Sequence, residues 1–467
     1  MKMREMEGLQ GDTISAAATS AGEAGIGIVR ISGEKAIEVA ERIFFPSRDR
    51  SLRETGSYRA VYGKIVDEGG EIVDEAIALV MKAPHSYTME DVVELQCHGG
   101  RVPLQKTLAL TYAAGARPAE RGEFTKRAFL NGRMDLAQAQ AVMDVIQSKT
   151  EASLRMAAGH LEGKLSKRIA GLRHRILEQI AHLEAVIDFP EDEVDSIVRD
   201  KVRQNVVAYA NDLNELLKTA RTGRILREGL TTAIIGKPNV GKSSLLNALL
   251  HEERAIVTEI PGTTRDSIEE YAEVGGVPLR IIDTAGIRAT EDMVERIGVE
   301  RSREYAEKAS LILALFDGSS DLTAEDEEIM ELLDGREAIL LVTKNDLMPV
   351  FPSEMLKERF SSFPLCFIST KEETGLAELG ELIAQKVYGK ALSTDNACFV
   401  DNERQAYLLG EAKKHLEAAL QTIDMEMGED FISIDLRSAW EKLGEITGET
   451  AGEDIIDQIF SQFCIGK

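Results

Sequence analysis

Between residue 12 and about 125, apolar and β-branched positions gather in short β-like runs: "DTISAAAT", "GIGIVRIS", "YRAVYGKIV", "EAIALVM" and "VVELQC". Gly and Pro punctuate them, which predicts a strand-rich N-terminal region. From about 135 to 225 the pattern becomes helical, long in Ala, Leu, Glu, Arg and Gln and almost free of Gly and Pro. "DFPEDE" (188–193) is expected to end one helix, its acidic residues suiting the start of the next. From about 230 to 388, the apolar runs "TTAIIG", "LRIIDT", "LILALFD", "AILLVT" and "LCFIST" alternate with helical stretches, the mark of an α/β domain. From about 400 the helical pattern returns. Helices before and after an α/β unit predict that the unit is inserted into one helical domain; two separate helical domains are the other arrangement.

A chain of 467 residues exceeds a single core, and 43% hydrophobic with 29% charged residues is ordinary globular material. No apolar run approaches the ~18 residues of a membrane span. The start "MKMREMEGLQGDT" has no apolar segment and carries Glu5 and Glu7, unlike a secretory or transit peptide. Cys97, Cys366, Cys398 and Cys464 are far apart, so a disulfide framework or zinc site is not expected, and a reducing cytoplasm is. The net charge of -25 argues against binding nucleic acid through a broad positive field. Two basic runs, "KLSKRIAGLRHR" (164–175) and "KTARTGRILR" (218–227), read as solvated helix faces or as local phosphate contacts.

"LTTAIIGKPNVGKSSLLNALL" reads strand, glycine-rich turn, helix, and holds G-x-x-x-x-G-K-S as Gly236, Gly241, Lys242 and Ser243. The glycines allow a tight loop whose N–H groups face phosphate oxygens, and the helix adds its positive dipole end. Lys242 would reach the β- and γ-phosphates, and the Ser243 hydroxyl would ligate Mg²⁺. Further along, "RIIDTAG" ends a strand at Asp283, placed to hold Mg²⁺ through water, with the Gly286 N–H near the γ-phosphate. "PGTTRD" offers Thr263 and Thr264 as a second Mg²⁺ ligand. "LLVTKND" supplies Lys344 and Asp346, whose carboxylate suits guanine N1 and N2, and "FISTKEETG" supplies Ser369, Thr370 and Lys371 beside the base. The set predicts a GTPase.

Two departures bear on mechanism. Thr343 occupies the first place of the usual N-K-x-D, where an Asn braces the loops around the base; it has a hydroxyl but no amide, which points to modest nucleotide affinity. Ile287 follows D-T-A-G where many Ras-like proteins place a water-orienting Gln, leaving Arg288 or the segment "EDMVERIG" as polar candidates. Asn239 in the phosphate loop could hold a monovalent cation where an arginine finger would otherwise place charge.

These stretches, with "GIGIVRISG", "DVVELQCHGG", "RGEFTKRAFLNGRMDLAQAQAV" and the terminal "FCIGK", resemble the MnmE (TrmE) family of tRNA-modification GTPases, from residue 12 to 467. The resemblance implies a multidomain α/β plus all-α protein. Its parts are an N-terminal α+β folate-binding and dimerisation domain (1–125), a helical domain (126–228 and 389–467) and an inserted P-loop, Ras-like GTPase domain (229–388). It implies a cytoplasmic, non-membrane homodimer that works on tRNA with an MnmG (GidA)-type flavoprotein, FAD being on that partner only. The product is an aminomethyl or carboxymethylaminomethyl group at C5 of the wobble uridine, its carbon drawn from a methylene- or formyl-tetrahydrofolate.

By motif, the GTP or GDP contacts fall on Asn239, Val240, Gly241, Lys242, Ser243, Ser244, Thr258, Glu259, Ile260, Pro261, Gly262, Thr263 and Thr264. They continue through Asp283, Thr284, Ala285, Gly286, Lys344, Asp346, Ser369, Thr370 and Lys371. Mg²⁺ maps onto Ser243 and Thr264, K⁺ onto Asn239, Thr258, Ile260 and Thr263, and the water-orienting residue onto Glu295. Folate contacts map onto Arg30, Glu94, Arg133 and Lys467. A carboxylate suits the donor edge of a pterin and cations suit a carboxylate tail, though Arg30 and Arg133 also read as structural ion pairs. Cys464-Ile465-Gly466-Lys467 has the outline of a lipidation box, but Gly466 is not aliphatic and Lys467 is not a usual final residue. The resemblance instead puts this tail at the folate site, with Cys464 either close to the chemistry or merely packed. A regulatory ribosome- or RNA-assembly GTPase without one-carbon chemistry remains the alternative.

Overall fold

The computed structural model describes residues 11–20, 22–48, 51–188, 196–252, 270–282, 298–348, 361–389 and 398–467. The chain divides into two compact units, Met1–Met143 with Gly444–Lys467, and Asp144–Leu443.

The first unit is built on seven strands: β1 (Ile14–Ala17), β2 (Ala24–Ser32), β3 (Phe44–Pro46), β4 (Arg59–Val66), β5 (Ile72–Met81), β6 (Val92–Gly99) and β7 (Arg117–Pro118). They lie in the order β3-β4-β5-β6-β2-β1-β7. All pairings are antiparallel except β1 with β7. Side chains alternate between faces along a strand. In β2, Val29 and Ile31 therefore enter the core while Arg30 stands on the opposite face; in β6, Val93, Leu95 and Cys97 go inward and Glu94 outward. The register sets Arg30 directly opposite Glu94. Ile37 and Ala40 of the helix Ala36–Ile43, with Leu104 and Leu110 of Arg101–Ala113, close the core over one face. A second cluster joins Ala128, Met134, Leu136 and Met143 to Ile456, Phe460 and Phe463, so the helix Glu453–Ser461 and the residues after it belong to this unit. Gly122 requires its glycine: φ is +66°, and a Cβ there would lie 2.7 Å from the Phe460 carbonyl oxygen.

In the second unit, β8 (Leu230–Gly236), β9 (Glu270–Val274), β10 (Val277–Ile281), β11 (Leu311–Asp317), β12 (Ala338–Thr343) and β13 (Leu365–Phe367) form a sheet ordered β13-β12-β11-β8-β10-β9. It is parallel except for β9 at the edge. Every residue of β11 and β12 is buried, because apolar clusters cover both faces. The chain leaves β8 toward β10 on one side and returns as β11 on the other. This reversal places a crevice at the carboxyl end of β8.

Helices Lys164–Asp188 and Ser196–Lys218 precede this sheet in sequence, and Glu403–Asp424 and Glu429–Thr447 follow it. The first ends at Asp188, at the expected break. Ser196–Lys218 packs against Glu403–Asp424, and Arg173 stacks 4.1 Å over the Trp440 ring. The basic runs are largely occupied by internal pairs. Arg168 and Arg175 both reach Asp212, Arg224 reaches Glu403 and Arg227 reaches Asp144.

Candidate functional site

The phosphate loop leaves β8 at Gly236 and enters the helix Lys242–Glu252. Asn239 (φ +58°) and Gly241 (φ +107°) take left-handed backbone conformations, which Asn and Gly tolerate best. Between them Val240 is fully buried and anchors the loop to the core beneath it. The Lys242 ammonium donates to the Gly236 carbonyl at 2.7 Å and the Lys237 carbonyl at 2.8 Å. Burial lowers its pKa, and among the described residues no carboxylate forms an ion pair with it. A half-buried cation held only by carbonyls fits the placement of a phosphate chain. Ser243 and Ser244 are exposed in the first turn of the helix.

At the other end of the crevice, Thr343 closes β12 and is 4% exposed. Its hydroxyl donates to the Val240 carbonyl at 2.7 Å, with the Phe316 carbonyl 3.2 Å away. The threonine, lacking the amide of the usual asparagine, makes its tie to the phosphate loop through its hydroxyl. Lys344 (φ +60°) pairs with Asp317 at 2.6 Å. Burial pushes the Asp317 carboxyl up, but hydrogen bonds from Lys344 and Ser319 outweigh it and hold the group below its usual range. Asp346 accepts from the Ser369 hydroxyl at 2.8 Å, which lowers its pKa, and lies 4.0 Å from Lys371. The Ser369–Thr374 backbone pair closes the turn carrying Thr370 and Lys371. Asp346, Ser369 and Lys371 are thus brought together.

Thr258, Glu259, Ile260, Pro261, Gly262, Thr263, Thr264, Asp283, Thr284, Ala285, Gly286 and Glu295 lie outside the described residues. Of the Mg²⁺ and K⁺ sets, Ser243 and Asn239 are the described members.

The second constellation lies in the first unit, on the sheet face opposite the core. Arg30 Nε donates to Glu94 Oε1 at 2.8 Å, and its Nη1 donates to the Gly466 carbonyl at 3.3 Å. Its guanidinium lies 5.5 Å from the Tyr87 ring and 5.6 Å from that of Phe124. Arg133 sits 4.6 Å over the same Tyr87 ring and donates to the Tyr87 carbonyl at 3.0 Å. The Tyr87 hydroxyl shares a 2.9 Å hydrogen bond with Thr125. The tail is held by an Arg121–Ile465 bridge and by Gly122 N–H donating to the Cys464 carbonyl at 3.3 Å. Gly466 is seated at φ +89°, where a Cβ would meet the Ala17 carbonyl oxygen at 2.1 Å. Lys467 is half-buried and Cys464 is exposed. The face therefore offers two guanidinium groups, a carboxylate and an aromatic ring, a donor set that fits a flat heterocycle bearing a carboxylate tail.

Tyr87 was not anticipated: a lone aromatic in a loop carries no periodic signal. Nor was the ionic network beside it, where the buried Arg127 reaches Glu123, Glu90 and Asp12. Burial pushes Glu123 up, but Arg117 and Arg127 hold it low. The four-residue spacing of Glu123 and Arg127 in "RGEFTKR" was the available clue.

Phosphate loop, parallel sheet and base loop together define a guanine-nucleotide GTPase. The profile of the MnmE helical domain matches residues 136–464, and that of the GTP-binding protein TrmE N-terminus matches 13–133. The chain is 49% identical to the tRNA modification GTPase MnmE of Alkaliphilus metalliredigens, over 98% of this chain and 99% of that one. It is 51% identical to that of Geobacillus thermodenitrificans, over 98% and 99%, and 47% identical to that of Bacillus subtilis, over 98% and 100%. The chain belongs to the MnmE family of tRNA modification GTPases. It is a GTP-binding, GTP-hydrolysing protein that acts in tRNA modification. No helix among the described residues is long and apolar enough to cross a membrane.

Proposed function

We propose that the chain couples GTP hydrolysis to one-carbon chemistry on tRNA. In this reading it works as a homodimer with an MnmG-type, FAD-carrying flavoprotein in the cytoplasm. It installs an aminomethyl or carboxymethylaminomethyl group at C5 of the wobble uridine. Residues 1–125 form the folate-binding and dimerisation domain, 126–228 and 389–467 the helical domain, and 229–388 the inserted GTPase domain.

The observation that carries the reading is the Arg30–Glu94 pair, with Gly466 of the tail against Arg30 and Arg133 on the neighbouring ring. The Arg30–Glu94 pair by itself is also what a structural ion pair gives; the Gly466 carbonyl of the tail and the two guanidinium groups gathered on the Tyr87 ring are what a purely regulatory GTPase has no need of. Glu94 would accept from the donor edge of a pterin with Arg30 beside it, and Arg133 and Lys467 would be further cationic contacts, suited to the carboxylate tail of a folate. When bound, the folate supplies the transferable carbon. In the other unit, Lys242 and the loop N–H groups would hold the phosphates and Asp346 the guanine, with Ser369, Thr370 and Lys371 lining the base. Ser243 and Thr264 would hold Mg²⁺; Asn239, Thr258, Ile260 and Thr263 would hold K⁺; Glu295 would orient water.

The test pairs calorimetry of 5-formyl-tetrahydrofolate binding with mass spectrometry of the wobble nucleoside from a deletion strain. The expected result is saturable binding and loss of the C5 substituent, restored by the wild-type gene. Intact modification without the gene would leave the assembly-GTPase reading standing.

A further inference from the structure

Two lysines stand inside the nucleotide loops, and each is tied to a carboxylate from the stretch that begins with the last residue of β11. Lys237, next to Gly236 in the phosphate loop, has its ammonium 2.8 Å from Asp326 Oδ2; the two side chains are 13% and 2% exposed. Lys344 of the base loop lies 2.6 Å from Asp317 Oδ2. "DGSSDLTAED" (317–326), which contains both carboxylates, carries no nucleotide-binding motif.

Both carboxylates are fixed by their own surroundings. Asp317 Oδ1 accepts from the Ser319 N–H at 2.9 Å and the Ser319 hydroxyl at 2.6 Å. Asp326 Oδ2 accepts from the Thr323 N–H at 2.9 Å and the Thr323 hydroxyl at 2.8 Å, capping the helix Ala324–Leu332. Asp326 Oδ1 is buried without a hydrogen-bond partner, so the oxygen that meets Lys237 carries the whole of its compensation. Neither carboxylate is free to follow its lysine; the lysines, and the loops that bear them, must come to the carboxylates.

The consequences reach the nucleotide-facing groups through the backbone. The Lys237 carbonyl accepts from Lys242 at 2.8 Å, so moving Lys237 moves the ammonium meant for the phosphates. Lys344 holds a left-handed backbone (φ +60°) that a lysine adopts only under constraint, and its tie to Asp317 supplies one. Asp346 follows two residues later.

Building on the nucleotide-site reading above, we infer that Asp317 and Asp326 are positioning residues of the GTP site. Asp326 sets the phosphate loop through Lys237, and Asp317 sets the base loop through Lys344. The two act on different parts of the nucleotide and are separable by comparing GDP with IDP, which lacks the guanine 2-amino group.

The full chain and its variants are titrated with fluorescent GDP and, by competition, with IDP. Asp317→Asn is expected to raise the GDP Kd about tenfold and to shrink the preference for GDP over IDP, because the loop carrying Asp346 shifts. Asp326→Asn and Lys237→Met are expected to weaken GDP and IDP equally, by about tenfold, with the preference intact. Lys237→Arg, which keeps the ion pair, should recover most of the loss. Should Asp326→Asn fail to fold, Lys237→Met/Asp326→Leu buries no charge and should show no greater loss than Lys237→Met alone. Wild-type affinities for both nucleotides in folded Lys237→Met and Asp317→Asn would overturn the inference. So would equal losses with unchanged preference in Asp317→Asn. Absence of GDP binding by the wild-type chain would instead overturn the nucleotide-site reading itself.

Discussion

The hydroxyl of Thr343, at the end of β12, donates to the carbonyl of Val240 in the phosphate loop at 2.7 Å. One short side chain thereby joins the strand that leads into the base loop to the loop that meets the phosphates. An asparagine would reach the same region with an amide; threonine does it with a single proton and a methyl group that lies about 4 Å from where a Gly241 Cβ would stand.

Replacing Thr343 by Val keeps the shape and deletes the donor. Depriving a buried acceptor of its donor costs about 1–3 kcal/mol. If that cost falls on the nucleotide-bound state, the GDP Kd rises roughly fivefold to a hundredfold. Thr343→Asn should bind at least as tightly as wild type. Stopped-flow release of fluorescent GDP reports both; an unchanged off-rate in Thr343→Val would make the contact incidental.

Asn239, held at φ +58° in the phosphate loop, motivates a cation dependence. A cation placed near the β- and γ-phosphates supplies the charge that an arginine finger would, worth ~10³–10⁵ in rate when supplied in trans. Exchanging KCl for NaCl at constant ionic strength should slow GTP turnover at least tenfold, a conservative fraction of that range. Phosphate release measured in the two salts checks it; equal rates would remove K⁺ from the site.

What could be read in advance follows from burial. Parallel strands covered on both faces leave continuous apolar runs, so "LILALFD" and "AILLVT" announced β11 and β12 directly. In the first unit the short β-like runs showed β2 and β6, but β3 and β7, of three and two residues, are too short to leave a pattern. The helix Glu123–Leu130 lay at the end of a stretch dominated by strand-like signals. Arg30 and Glu94 were each named from their own motif. That they touch depends on the β2–β6 register, which neither strand encodes alone. Thr343 showed the opposite limit: residue type gives a hydroxyl in place of an amide, while only geometry reveals what that hydroxyl reaches.

His160 provides a pH handle on the second unit. Its Nδ1 lies 3.0 Å from Asp401 Oδ2 and its Nε2 lies 2.8 Å from the Phe399 carbonyl, both acceptors for an imidazolium. Burial opposes the charge, but Asp401, the Phe399 carbonyl and Asp144 outweigh it and raise the pKa above the ordinary 6.5. Asp144, paired with Arg227, is itself pushed up to about 6 by burial. Both groups bind protons more tightly when folded, so both stabilise the fold at low pH and lose that contribution as pH rises. For Asp144 the loss runs from about 4 to 6; for His160 it begins near 6.5 and continues through the raised value. The urea midpoint of the full chain should fall as pH increases above neutrality, and His160→Asn should flatten that part of the profile. A wild-type midpoint that stays level from pH 6.5 upward would mean the imidazole remains neutral.

The last prediction concerns the tail. The Gly466 carbonyl is an acceptor for Arg30, and the backbone that carries it is pinned by Arg121, Gly122 and the close approach to Ala17. Deleting Ile465, Gly466 and Lys467 removes that acceptor together with the Lys467 ammonium, but leaves Arg30 paired with Glu94. Hydrogen bonds to charged groups contribute ~1.5–3 kcal/mol, so the Kd for 5-formyl-tetrahydrofolate should rise roughly tenfold to a hundredfold. GTP hydrolysis should survive, because the nucleotide loops belong to the other compact unit. Cys464→Ser then separates packing from chemistry. The Cys464 carbonyl accepts from Gly122 whichever side chain is present, and the side chain itself is exposed, so serine should leave folate affinity intact. A nucleophilic thiol predicts loss of the wobble modification with unchanged affinity; a thiol that only fills space predicts most of the modification retained. Calorimetry on both variants, with mass spectrometry of the nucleoside, distinguishes these outcomes. Folate affinity unchanged by the truncation would detach the tail from the site altogether.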